Sequence, residues 1–224
     1  MNRIKLYLLF SFILGSLFAK GQNSVQVEIY PKRTITLDYE KFNLSSFQNK
    51  FAASGSLDYA YTEYDGTQIR VTCQHRGQPV EVYITPPAPA VHRIFKEFYP
   101  NGNLKQKGLY LPQQFRIGKW LQCDDGGYCN VVNYDANKGA FGYNGLLKML
   151  VDKGYINPNT GQGNWSFVVW FNDNSRQWGV KLQKNSQYKM FTINADTGEI
   201  LTESEYEVKS SNTTSYGTYI SPEY

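Results

Sequence analysis

Phe98-Tyr-Pro-Asn-Gly-Asn-Leu-Lys-Gln-Lys-Gly-Leu-Tyr110, followed shortly by Gly118-Lys-Trp120, is the stretch that decides the fold. Apolar and polar residues alternate on both sides of Asn101-Gly102, which is the period of a half-buried strand. Asn and Gly both tolerate the positive φ that a type I′ turn demands, so the spacing predicts a hairpin of Ile94–Tyr99 and Leu104–Leu111 around them. Phe115–Leu121 and Tyr128–Tyr134 continue the pattern, giving four strands in succession. Setting Tyr99-Pro-Asn-Gly102 beside Cys123-Asp-Asp-Gly126 gives a register of about 24 residues, which suggests hairpin units that complete their cores against one another.

Toward the N-terminus, residues 25–30 and 33–39 alternate in the same way, with Pro31 between them. From Asp58 the pattern resumes through an Asp65-Gly66 turn to Ile84, and residues 40–56 read as a loop or short helix. Residues 22–85 are therefore expected to form an N-terminal antiparallel β unit. Pro86-Pro87-Ala88-Pro89-Ala90 follows, which can neither donate to a sheet nor continue a helix. Residues 86–91 are either a linker between units or an ordered surface loop, and 92–140 are the hairpin ribbon.

Beyond the ribbon the period changes. Leu146, Leu147, Leu150 and Val151 share one face at helical spacing, Asn144 can cap the start and Gly154 can stop the end, predicting a helix over 144–153. Three strands follow, with Trp165, Phe167, Val169 and Phe171 on one face of the first, Trp178, Val180 and Leu182 of the second, and Phe191, Ile193 and Ala195 of the third. Residues 209–224 have little to bury and read as a flexible tail. The expected class is mostly β (α+β): antiparallel hairpins with one short amphipathic helix packed on a C-terminal sheet.

Residues 1–21 combine a basic start (Arg3, Lys5), an apolar run from Leu6 to Phe18 and small residues before Gln22, the pattern of a cleavable secretory signal peptide. The run is too short to span a bilayer as a helix, and no cysteine follows it. The expectation is an exported protein, periplasmic or secreted, neither lipid-anchored nor membrane-spanning. With the signal, Arg3, Lys5 and Lys20 leave and no acidic residue does, so the formal charge falls from +4 to +1. Nucleic-acid affinity needs clustered Lys and Arg, and here they are scattered among acids, so nucleic acid is excluded as a partner.

The quoted stretch resembles bacterial MORN-type repeats of antitoxin-like exported proteins. Its aromatic, Pro-Asn-Gly, Leu-Lys, Gly-x-Tyr and Gly-Lys-Trp elements all match, while the second copy departs with Asp124-Asp125-Gly126. The resemblance covers roughly 92–135 and implies a β-hairpin ribbon without catalytic residues. Residues 141–208, ending in Asp196-Thr-Gly-Glu-Ile200, are similar to a PepSY-like helix-plus-hairpin unit, which implies a binding or inhibitory module of the cell envelope.

Chemistry is sparse. Cys123 and Cys129 flank a tight turn and are either bridged or two half-buried thiols, and export would permit the bridge. Cys73 reads as a small core residue. It shares a strand with His75, but their geometry is awkward for a nucleophile and base. Asp124-Asp125 and Asp196 with Glu199 lack the spacing of a Ca²⁺ loop, so no metal or cofactor is expected. The candidate binding surface is aromatic: Phe98, Tyr99, Tyr110, Trp120, Tyr128 and Tyr134, which either anchor an interface or cover the helix and sheet. The expected function is non-enzymatic binding, as an immunity-like or inhibitor protein occluding a toxin or hydrolase. The alternative is a structural cell-envelope or glycan-facing repeat protein.

Overall fold

A computed structural model describes residues 24–208 apart from 30–32, 112 and 114. The expected signal peptide and tail lie outside the described residues. The protein is mostly β and antiparallel throughout. The hairpin β1 (Val25–Ile29) and β2 (Arg33–Leu37) is followed by a 3₁₀ turn at Leu44–Lys50. A seven-stranded meander then runs in sequence order through β3 (Leu57–Thr62), β4 (Gln68–Cys73), β5 (Val80–Thr85), β6 (Arg93–Phe98), β7 (Leu104–Tyr110), β8 (Arg116–Cys123) and β9 (Cys129–Asn133). Helix α1 (Gly142–Asp152) leads into a four-stranded meander of β10 (Ser166–Asn172), β11 (Gln177–Lys184), β12 (Gln187–Asn194) and β13 (Ile200–Glu207).

The proline stretch does not separate two sheets. β5 and β6 pair from Val80↔Phe98 to Ile84↔Ile94, so residues 86–92 connect neighbours within one sheet. Prolines cannot donate to the ladder; they occupy the connection and leave both strands free to pair.

The decisive hairpin also closes differently from the type I′ expectation. Gly102 N–H donates to Tyr99 O and Tyr99 N–H to Asn103 O, and Gly102 alone has positive φ, at 82°. With Pro100 preset for the first central position, this is a type I-like turn followed by a left-handed glycine, the usual three-residue hairpin loop. The turn from Asp124 to Tyr128 repeats it, with Gly127 at φ 86° donating to Asp124 O. Gly102 thus corresponds to Gly127, not Gly126, and the structural repeat is one residue longer than the sequence register. The two turns lie side by side: Tyr99 Oη donates to Cys123 O at 3.0 Å and Asn103 Nδ2 to Asp125 O at 2.7 Å. Cys123 and Cys129 pair across β8 and β9 and are disulfide-bonded.

Helix α1 begins two residues earlier than expected and ends at Asp152. Its N-cap is Phe141, while Asn144 lies inside and reaches Glu28 O. The stop is the expected glycine: Gly154 N–H donates to Val151 O and Tyr155 N–H to Leu150 O, a Schellman closure. Tyr143, Leu146, Leu147 and Leu150 are its buried face. β13 was not foreseen, because its Thr-Glu-Ser-Glu-Tyr-Glu run carries almost no buried side chain.

Alternation divides the seven-stranded sheet into two faces. Leu57, Val71, Val82, Leu109 and Leu121 are buried on one, in a cluster that includes Val25, Val27 and Leu37 of the first hairpin. Two lysines interrupt this apolar face. Lys107 donates to Asp38 Oδ1 at 2.9 Å and lies 3.0 Å from Glu40 Oε1, and Lys96 donates to Glu40 Oε2 at 2.8 Å. A nearly buried ammonium needs such partners, since an unpaired charge there is strongly unfavourable. The pairs tie the segment after β2 to the sheet.

Candidate binding surface

The opposite face of the sheet is open. Here β3 to β7 form a groove of about 1060 Å³. Asp58, Arg70, Glu81, Tyr83, Arg93 and Glu97 project into it, because they occupy the alternate positions to the buried set on paired strands. Arg70 forms a two-pronged pair with Asp58 at 2.9 and 2.7 Å. Tyr83 Oη donates to Glu81 Oε2 at 2.8 Å, and Lys105 reaches Glu97 at 2.7 Å.

Aromatic rings floor the groove and extend beyond it. Tyr83 and Phe95 lie 5.2 Å apart, Phe95 and Tyr110 6.1 Å, Phe95 and Trp120 6.1 Å, and Trp120 and Tyr134 5.6 Å. The Arg116 guanidinium sits 4.5 Å over Trp120 and 5.0 Å over Tyr134. Trp120 lies flat on Gly108, where a Cβ would fall 2.2 Å from the ring. The glycine of Gly-x-Tyr and the tryptophan of Gly-Lys-Trp are therefore two halves of one contact. Trp120 Nε1 donates to Leu109 O at 3.0 Å, so its polar atom is satisfied inside.

Burial pushes the Tyr83 pKa well above its usual value, and Glu81 adds to the shift; burial does the same at Tyr110 against the opposing pull of Arg93. Both phenols stay neutral hydrogen-bonding groups at neutral pH. The Asp58 carboxyl is held below its ordinary range by the hydrogen bond from Arg70.

The six aromatic residues singled out in the sequence do not form one exposed surface. Phe98 is buried on the other face, 5.3 Å from Phe42. Trp120 and Tyr110 point toward the groove side but are buried by their neighbours. Tyr99 bridges the two turns, and Tyr134 is half-buried, accepting from Gln122 and Arg116. Only Tyr128, in the β8–β9 turn, is largely exposed, at 64%. The two-residue period sends Phe98 one way and Tyr110 the other, so their closeness in sequence does not make them neighbours on one side. Sequence reasoning passed over Arg70, Tyr83, Arg93, Phe95 and Arg116. Parity within each strand carried the signal, but cross-strand register was needed to bring them together.

Cys73 is buried; its thiol donates to His75 O at 3.0 Å and to Gln78 O at 3.7 Å, and burial pushes its pKa up. The thiol thus engages backbone carbonyls and not the His75 ring. Among the described residues no three His, Cys, Asp or Glu side chains gather as metal ligands, and no helix is long and apolar enough to cross a membrane. A smaller, mainly apolar cavity of about 400 Å³ lies among Ile35, Pro89, His92, Ile94, Leu147 and Val151. No protein-family model, curated protein or solved structure matches the chain.

Proposed function

We propose that this is an exported, non-enzymatic binding protein of the immunity or inhibitor kind, which occludes a protein partner through the groove face of the seven-stranded sheet. The observation that carries this reading is the groove itself: tyrosines and arginines, held by neighbouring rings and carboxylates, line an open concavity. Tyr and Arg are the residues that most often dominate protein interfaces, because each offers large contact area with a polar tip. Fixing them in advance lowers the ordering cost of association. In this reading the MORN-type hairpins form the ribbon, and α1, packed on the β10–β13 sheet as in a PepSY-like unit, braces it. The Tyr143–Trp178 ring pair at 6.5 Å and the Phe141 N–H to Ala195 O bond at 3.0 Å support that bracing.

The test uses the mature chain as bait in envelope extract, beside an Ala60→Arg variant that places a bulky charge in the groove. A partner held by the wild type and lost by the variant is the expected result. No partner at micromolar bait, or a partner held equally by both, overturns the reading.

A further inference from the structure

The outer face of the four-stranded sheet carries a second site, independent of the groove. On β10 its positions are Ser166, Val168, Trp170 and Asn172, and register carries that face across the sheet to Tyr188, Thr192 and Tyr206. Trp170 pairs with Gly179 and lies flat on it: a Cβ there would fall 2.0 Å from Cε2 and 2.3 Å from Cζ2. One ring face is thus pressed to the backbone. The residue keeps 37% of its surface, and among the described residues no other aromatic ring or cation stacks on it. Farther across the same face, Tyr188 and Tyr206 stack with centroids 5.0 Å apart and planes 5° apart, with Lys181 Nζ 4.9 Å from the Tyr188 centroid.

Lys181 and Met190 lie between Trp170 and Tyr188, with Val168 beside them, and the rest of the face is polar and free of acid. Asn172, Gln183, Thr192 and Thr202 present amides and hydroxyls, and no Asp or Glu occupies this face in the register from Ser166 to Tyr206. β13 is rich in acid, but Glu203, Glu205 and Glu207 fall on its opposite parity. A ring lying flush with a sheet offers its π face and not a knob to fill a pocket. That suits an apolar C–H face, while neighbouring amides and hydroxyls suit alcohol groups. Sugar rings present both. Trp170 and Tyr188 lie two strands and four residues apart, a diagonal of about 16 Å, the reach of a short run of linked sugars.

We propose that this face binds a neutral, extended polysaccharide of equatorially linked hexoses, with Trp170 and the Tyr188–Tyr206 pair as stacking platforms. Such a site would hold the protein at a glycan surface and leave the groove free. Affinity gel electrophoresis of the full chain tests it, with hydroxyethyl cellulose in one gel and alginate in another. The neutral glycan retards the wild type; Trp170→Ala weakens retention about fivefold and Trp170→Phe restores most of it, since an aromatic stack is worth about 1 kcal/mol. Acrylamide quenching of tryptophan emission falls on adding the neutral glycan to the wild type and not to Trp170→Ala. Ala60→Arg leaves retention unchanged, which separates this site from the groove. No retardation by hydroxyethyl cellulose, equal retardation of Trp170→Ala, or retardation by alginate alone overturns the proposal.

Discussion

Trp120 and Trp170 each lie flat on a glycine, Gly108 and Gly179, of the neighbouring strand, yet one is 1% exposed and the other 37%. The contact beneath the ring is the same; the difference is above it. In the seven-stranded sheet Arg116 of β8 and Tyr134, just after β9, cover Trp120. Trp170 stands on β10, an edge strand with nothing paired beyond it among the described residues. A shared local device therefore makes core in one sheet and surface in the other, decided by what lies above the ring.

The largest test of that contrast is truncation of the rings. Trp120→Ala should cost about 3–5 kcal/mol, through lost burial and the cavity left behind. Trp170→Ala should cost under about 1 kcal/mol, as for a surface change. Urea unfolding with unchanged m-values measures both, and similar losses would break the distinction. Adding a methyl beneath each ring sharpens it. Gly108→Ala forces a Cβ into a roofed Trp120 and should cost about 3 kcal/mol. Gly179→Ala meets a ring free to lift outward and should cost nearer ~1 kcal/mol. Equal costs would mean that the roof does not hold Trp120 in place.

The disulfide belongs to the seven-stranded sheet only. Replacing both Cys123 and Cys129 by Ser should remove about 2 kcal/mol, the loop-closure value for so short a loop. A midpoint equal to that of the wild type under oxidising conditions would show that the pairing of β8 with β9 suffices alone.

The smallest effect is in acid. The Asp38 carboxyl is held below its ordinary range by the hydrogen bond from Lys107, against a smaller opposing effect of burial. Asp196 is lowered by Arg176 and by the Ala140 N–H. A folded pKa below the unfolded one gives stability that is complete above about pH 4 and lost as pH falls through the folded value. Asp38 is itself 59% exposed but its partner Lys107 is nearly buried, whereas Arg176 and Asp196 are both about half exposed. Asp38→Asn should therefore flatten the acid limb of stability with a weaker salt dependence than Asp196→Asn. Matching salt sensitivities would remove this difference between the sheets.

Much of the β architecture was legible in the sequence, because alternation and turn glycines are local signals. The hairpins around Gly66 and Gly102 and a helix expected at 144–153, found at Gly142–Asp152, follow from residues close in sequence, whereas the choice between a bridge and two thiols at Cys123 and Cys129 waited on the pairing of β8 with β9. What was not legible depended on register between strands. Proline content concealed the pairing of β5 with β6, and polarity concealed β13. The fate of each aromatic depended on what lies across from it: nothing within Gly118-Lys-Trp120 says that Gly108 lies beneath the ring. Lys96 and Lys107 look like solvent-facing residues in their own strands, and become interior once Asp38 and Glu40 are brought over them.

The order of the strands has one further consequence. In both larger sheets every strand pairs only with the strand before and after it in the chain. Each new strand closes on one already in place through a connection of modest length, so little loop entropy is lost per step. Low contact order of this kind favours fast folding for a β-rich chain. It also suits assembly from one end: a chain emerging N-terminus first would add β4 to β3, then β5, and so on, each step templated by the edge just completed.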